Sequence, residues 1–411
     1  MRDACVMAYE DLLASLLKNG IINYTPMKEY SENKPIIVDR AEGLYFWDVQ
    51  GKRYMDFTSG HYTLALGHSH PKVLQAMKEQ MNRIQSSTFI YLNEPIIKLA
   101  SKIAEISPGR LKNGRVFFAS TGSEAIESAI KVARDYFRRQ GKGKKRNIIS
   151  QWMSYHGTTE GALAASGIPA IRSEFEPGPS GFIHVFPPYS YRFAYSDDPS
   201  NCGITVANMI EQTIQMHGAD NTAGVLVEPI IGAGGVIIPP NDYLPALREI
   251  CDRHDVLLIF DEIMTGFSRT GKLFASEHWG VSPDIMTLAK ALSPYFPLSA
   301  VVVGDKVKDT LWDNPHLDGH TWGINSAIAG AAGLASVDVH LNERLWEKAS
   351  SLGDYLLKRL KEIEVKSPIV GEVRGKGLMC ALEIVEDKVT KKQFPPDGEI
   401  PRRIERLCME K

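Results

Sequence analysis

Between about Arg115 and Val303, short runs rich in β-branched and aromatic residues alternate with stretches of helical period. No other feature of the chain constrains its fold as strongly. Such alternation builds a mainly parallel sheet covered by helices, because a crossover between parallel strands has room for a helix. Arg115–Ala119 reads as a strand. Residues 124–139 read as a helix with Ile126, Ala129, Ile130, Ala133 and Phe137 on one face, closed by Gly141. Further strands are expected at 224–227, 256–260 and 299–303, with a helix at 243–254. The Gly- and Pro-rich passage 176–203 interrupts the pattern, but six aromatic residues from Phe182 to Tyr195 mark it as a packed excursion, not a flexible linker. A long helix near 325–340 precedes a helix at 345–363, a strand at 377–385 and a helix at 402–411, a smaller α+β unit. At the other end, Leu12, Leu13, Leu16 and Leu17 predict a short amphipathic helix. The expected division is an N-terminal segment 1–60 contributing to the small domain, a large domain 61–328, and a small C-terminal domain 329–411.

With 411 residues, 44% hydrophobic and 23% charged, the chain has globular composition and exceeds one small module. Its 47 basic and 49 acidic residues leave a formal charge of -2, so no field draws nucleic acid. Cys5, Cys202, Cys251, Cys380 and Cys408 form no C-x-x-C pair, which argues against a zinc ribbon or disulfide framework. Asp3, Glu10 and Asp11 break up any secretion signal, and the apolar runs are too short to span a membrane. A cytoplasmic protein is expected.

Ser120-Thr121-Gly122-Ser123-Glu124 sits where a predicted strand turns into a predicted helix. Two readings share these residues. A helix start offers free N–H groups and a positive dipole end, and with Gly122 allowing close approach it can hold a phosphate. The same residues also spell a capping box that serves only the helix. Asp261 ends the apolar run 256–260, at the carboxyl edge where open α/β sheets bind ligands. There it can hold a metal, orient a histidine, pair with a protonated ring nitrogen or cap a turn. Lys290 follows 29 residues later, just before Ser293-Pro294. On a solvated face it would be an ordinary lysine; among apolar neighbours its pKa falls and it can form a Schiff base.

A phosphate anchor, a partner for a pyridinium nitrogen and an amine for an aldehyde are together what pyridoxal 5'-phosphate requires. At this point the chain resembles the class III (ω-) aminotransferases, a family of the fold-type I pyridoxal phosphate enzymes. Matching stretches are Gly67-His68-Ser69-His70-Pro71, Ser120-Thr121-Gly122-Ser123-Glu124-Ala125, Tyr155-His156-Gly157, Glu228-Pro229, Asp261-Glu262-Ile263-Met264-Thr265-Gly266-Phe267, Arg269-Thr270-Gly271, Ala289-Lys290 and Gly375-Lys376-Gly377. They occur in family order from about residue 30 to the C-terminus.

The resemblance implies a fold-type I α/β architecture with a seven-stranded large-domain sheet. It also implies ping-pong amino transfer from an amine, ω-amino acid or amino acid to an oxo acid such as pyruvate or 2-oxoglutarate. Lys290 would tether the cofactor and move the substrate proton, and Asp261 would keep the ring nitrogen protonated. Gly122 and Ser123 would hold the phosphate, Tyr155 and Ile263 would cover opposite ring faces, and Glu228 would make polar contacts near the ring. Thr321, in Gly319-His320-Thr321-Trp322-Gly323, would reach the phosphate of the other subunit's site, so a homodimer or higher homo-oligomer with shared sites is expected. Tyr62 and Phe89 are candidates for the substrate pocket by position. Decarboxylation, racemisation, amino migration and phospholyase chemistry share these cofactor residues, and an inactive chain that binds only cofactor or a partner is a further alternative.

His68 and His70 lack a matched third ligand and read as part of a structural turn, so no metal is expected. Gly232-Ala233-Gly234-Gly235 does not have dinucleotide-loop spacing, and His156 reads as a structural histidine at least as well as a catalytic one. Ala233 stands where ornithine and 4-aminobutyrate aminotransferases carry a glutamate, which favours members using pyruvate or another small oxo acid. The chain stops at Lys411 inside a predicted helix, where the family usually continues into strands bearing a carboxylate-binding arginine; that arginine has no candidate here.

Overall fold

In a computed structural model, residues 9–195, 198–311, 313, 319–395 and 399–410 are described. Cys5 lies outside them. Three sheets follow one another along the chain: β1 (Val38–Glu42), β2 (Tyr45–Asp48) and β3 (Arg53–Met55) form an antiparallel meander. The central sheet holds β4 (Arg115–Ala119), β5 (Asn147–Gln151), β6 (Phe182–Val185), β7 (Thr222–Val227), β8 (Leu257–Asp261), β9 (Ile285–Leu288) and β10 (Ser299–Val303) in the order β4-β10-β9-β8-β7-β5-β6. Only β10 runs against its neighbours, pairing antiparallel with β4 and β9; the other adjacent pairs are parallel. A hairpin of β11 (Val370–Lys376) and β12 (Met379–Ile384) makes the third sheet.

β7, β8, β9 and β10 are buried along their whole length because helices cover both faces. One face receives the helix Gly122–Arg139, whose Ile126, Ala129, Ile130, Ala133 and Phe137 are all buried, as the 3.6-residue period requires. The other receives the helices Cys202–His217 and Tyr243–Arg253. The helix Ala327–Asn342 is apolar on all sides and packs against the helices Pro71–Met81 and Glu94–Ile106. Leu13 is the one buried residue of the described N-terminal helix Tyr9–Asn19. Cys202 and Cys251 are buried thiols, Cys380 is half-buried and Cys408 exposed, all free. No described helix is long and apolar enough to cross a membrane.

Three central strands, β5, β6 and β9, escape the reading of the sequence, because β5 carries Asn147, Ser150 and Gln151, and the four-residue β6 and β9 are interrupted by His184 and Thr287, so none shows a clean apolar run. β11 escapes it as well: Val-Gly-Glu-Val-Arg-Gly-Lys carries two glycines and three charges, a poor strand by composition that pairing with β12 overrides. The 176–203 passage is packed at its middle, where Tyr189 is buried against Ile231 and Ile237 and its hydroxyl donates to Glu383 at 2.6 Å, while 176–180 and 198–201 are exposed.

Candidate active site

Five chain segments leave the carboxyl ends of parallel-running strands toward one cavity of about 770 Å³: Ser120 after β4, Tyr155 after β5, Glu228 after β7, Asp261 at the end of β8 and Lys290 after β9. Gly122, Ser123 and Ile263 line it too, as do Tyr24, Tyr62, His156, Ala233 and Met264. Of the ten residues singled out from the sequence, eight therefore meet in one place. Thr321 and Phe89 do not line the cavity. Thr321 is exposed, with its carbonyl accepting from Asn325 Nδ2 at 2.5 Å, and Phe89 is 83% exposed.

At the start of the helix Gly122–Arg139 both readings of the sequence coexist. Thr121 Oγ1 accepts from the Glu124 amide at 3.2 Å, and Glu124 Oε2 accepts from the amides of Ser120 and Thr121 at 2.7 and 3.2 Å. The capping box thus consumes three donors and leaves two. Among the described residues no hydrogen bond takes the amides of Gly122 and Ser123, the first two of the helix, which face the cavity with the dipole's positive end behind them. Gly157 keeps this corner open: its φ is +126°, and a Cβ there would lie 2.2 Å from Ser123 Oγ.

Asp261 is 3% exposed and held by three partners. Its Oδ2 lies 2.8 Å from His156 Nδ1, while Oδ1 accepts from the Ile263 amide at 3.0 Å and the Thr287 hydroxyl at 3.2 Å. His156 is buried and its Nε2 has no partner, so the proton belongs on Nδ1, donating to the carboxylate. Glu228 accepts from the Tyr155 amide at 2.9 Å and the Gly232 amide at 2.8 Å. Burial is the largest influence on this carboxyl and raises its pKa to about 7, with the Asp261 charge adding to the rise.

Lys290 opens a short 3-10 turn with φ +43°, a left-handed backbone that a lysine adopts only under constraint. Burial lowers the pKa of its amine, Arg269 reinforces the shift, and the carboxylates of Asp261 and Glu228 oppose it. Among the described residues Nζ makes no hydrogen bond or ion pair, which leaves it free toward the cavity. Tyr155 shares a 3.1 Å hydroxyl–hydroxyl hydrogen bond with Tyr24, and burial raises its pKa. Tyr62, 41% exposed, ends a run of four left-handed residues from Ser59, pinned by the Gly60 amide on Asp56 at 2.9 Å and by Arg269 Nη2 on the Tyr62 carbonyl at 2.8 Å. His68 Nε2 pairs with the same Asp56 at 2.8 Å, the structural role expected of that turn.

Sequence reasoning assigned no role to Thr287, Arg269 or Tyr24. A hydroxyl inside the apolar strand Ile285–Leu288 is the signal for Thr287; nothing in the sequence points to Tyr24, which arrives from a distant segment.

Pyridoxal 5'-phosphate fits this chemistry: two unclaimed amides at a helix start suit a phosphate, a buried carboxylate suits a ring N–H, and a partly buried amine with a lowered pKa suits an aldehyde. The comparisons with known proteins agree. The family model for class III aminotransferases matches residues 27–402. A putrescine–pyruvate aminotransferase of Pseudomonas aeruginosa is 33% identical over 380 residues, covering 91% of this chain and 82% of that protein. A thermostable (S)-enantioselective omega-transaminase from Thermomicrobium roseum superimposes with a TM-score of 0.93 at 38% identity, covering 98% of this chain and 90% of its own. The omega-transaminase of Pseudomonas jessenii in complex with PMP gives 0.91 at 33% identity, with 95% and 87% covered. The chain therefore belongs to the class III aminotransferases, fold-type I enzymes that depend on pyridoxal 5'-phosphate.

Proposed function

We propose that the chain is a working aminotransferase that takes the amino group of an amine, ω-amino acid or amino acid and delivers it to a small oxo acid, donor and acceptor using one cavity in turn. The observation that carries this reading is the convergence of the Lys290 amine, the Asp261 carboxylate and the Gly122 and Ser123 amides on a single cavity. When bound, the cofactor supplies an aldehyde for the amine and a protonated ring that takes up the electron pair left on the substrate carbon. Lys290 Nζ removes the proton from that carbon and returns it one position away. Its lowered pKa moves the amine toward the neutral form that a base needs. Asp261, held in place by His156, Thr287 and the Ile263 amide, would keep a proton on the ring nitrogen. Gly122 and Ser123 would hold the phosphate, and Tyr155 and Ile263, which line the same cavity, would cover the ring. Glu228 steadies Tyr155 through its amide.

Thr321 and Phe89, exposed here, belong in this reading to sites completed across a homodimer: Thr321 serves the phosphate of the partner subunit's site, and Phe89 lies near a substrate pocket that Tyr62 borders. The domains divide near residues 60 and 328. Ala233 on the cavity wall adds no charge, in keeping with pyruvate or another small oxo acid as acceptor.

Borohydride reduction of the cofactor-loaded protein should leave a cofactor-sized mass on the peptide containing Lys290, and Lys290→Ala should abolish both that mass and turnover. Amino donor alone should release one equivalent of deaminated product per site. Turnover without acceptor, or an unmodified Lys290 peptide, would sink the reading.

A further inference from the structure

The glycine-rich stretch 232–235 does more than turn the chain. Gly232 donates to Glu228 Oε2 at 2.8 Å, its carbonyl accepts from the amides of Gly235 and Val236 at 3.0 Å each, and Ala233 forms cavity wall. The turn is packed to the limit: a Cβ on Gly234 would sit 2.0 Å from the Met153 carbonyl oxygen. Its outer side is gripped by a side chain from β11. Arg374 donates through Nε to the carbonyls of Gly235 and Val236 at 2.9 and 3.1 Å, and through Nη2 to Gly235 again at 2.6 Å. The guanidinium is itself fixed by Glu372 at 2.8 Å and Glu383 at 2.9 Å, is 11% exposed, and lies over the Tyr189 ring, 4.9 Å from its centroid. Tyr189 and Arg192 of the aromatic excursion bind the same Glu383, at 2.6 Å and at 2.7 to 2.9 Å. Two backbone carbonyls held by a planar fork, with Glu383 itself pinned by Tyr189 and Arg192, form a clamp that a lysine reproduces only in part.

We infer that Arg374 is a positioning residue: by holding the Gly235 and Val236 carbonyls it fixes the 232–236 turn, and through that turn the Ala233 wall and the Gly232 bond to Glu228. Glu228 in turn holds the Tyr155 amide, so the C-terminal hairpin reaches the site by one continuous chain of hydrogen bonds. The kinetic part of this inference rests on the aminotransferase reading; the structural part does not. Hydrogen exchange on the protein as purified tests the latter without any turnover. Arg374→Met should speed exchange of the amides of 232–237 roughly tenfold, as loss of strong hydrogen bonds predicts, while β8 keeps its protection. In steady state the same variant should raise KM for the amino donor more than it lowers kcat, and Arg374→Lys should restore part of the difference. Unchanged exchange in 232–237, or a rise spread equally to β8, overturns the inference, the second outcome marking a general stability role. Should Arg374→Met not fold, Glu383→Gln, which loosens the clamp but leaves Glu372 in place, is judged by the same two criteria. A missing cofactor band in the parent protein would defeat the functional reading and leave the exchange result standing.

Discussion

Asp261→Asn removes one charge from the centre of the site with almost no change of shape. The lone amide oxygen stays with the two donors on the Oδ1 side, the Ile263 amide and the Thr287 hydroxyl, so the NH2 group is turned on His156 Nδ1. If the imidazole proton stays on Nδ1, two N–H groups oppose each other. If it moves to Nε2, that atom becomes a buried donor with nothing to bind. Either route costs about 1–3 kcal/mol of stability. The catalytic loss is larger, because removing one partner of a buried charge pair costs about 3–5 kcal/mol, or roughly 10²- to 10⁴-fold in kcat/KM. Urea unfolding of the cofactor-free protein reads the first effect and steady-state kinetics the second. A double variant with His156→Phe should recover neither, because it takes the only acceptor from the buried NH2 group that Asp261→Asn introduces. Retention of kcat/KM within about tenfold in Asp261→Asn would refute the assignment of Asp261 as the ring's counter-ion.

The Glu228 carboxyl, whose ordinary pKa is 4.5, is raised to about 7 by burial. A raised folded-state value contributes stability fully below the unfolded value and loses it as pH rises through the folded one. The stability difference between parent and Glu228→Gln should therefore shift against the parent between about pH 4.5 and 7, by up to roughly 3 kcal/mol, and level off above; a difference independent of pH would show that the carboxyl is not buried as described. Shared sites have their own signature. Mixing an inactive Lys290→Ala chain with a Thr321→Asp chain should regenerate activity on re-association, because half of the sites in a mixed dimer carry neither change; absence of recovery in verified mixed dimers would mean that Thr321 serves its own chain or none.

What could be read from the sequence depended on how far along the chain each interaction reaches. The helix start at Thr121, the strand-end Asp261 and Lys290 announce themselves because their meaning is local: a cap lies within four residues, and a carboxylate following five buried apolar residues marks an edge. The capping box and the anion site could not be separated by spelling, since both use the same five residues; the structure separates them by counting which amides the cap consumes. Arg374 illustrates the opposite case. Its partners Gly235 and Val236 are 139 and 138 residues away, and its strand has too little apolar character to be recognised before its pairing is known.

Charge placement in the cavity follows from the same distinction between local and distant contacts. Two carboxylates and one amine share a region of low polarity, and burial alone would neutralise all three. Asp261 accepts hydrogen bonds on both oxygens, one of them from an imidazole; Glu228 accepts two amides and faces the Asp261 charge, which raises its pKa further. The kind of donors, His156, the Ile263 amide and the Thr287 hydroxyl in one case and the Tyr155 and Gly232 amides in the other, sets apart two otherwise similar acids: one is bound on both oxygens with an imidazole beside it, the other is raised toward neutrality by burial and braces Tyr155. Lys290 lies between these influences and Arg269, with its pKa lowered while two carboxylates still attract it. An amine in that balance can accept and release a proton at little cost, the property that amino transfer demands of it.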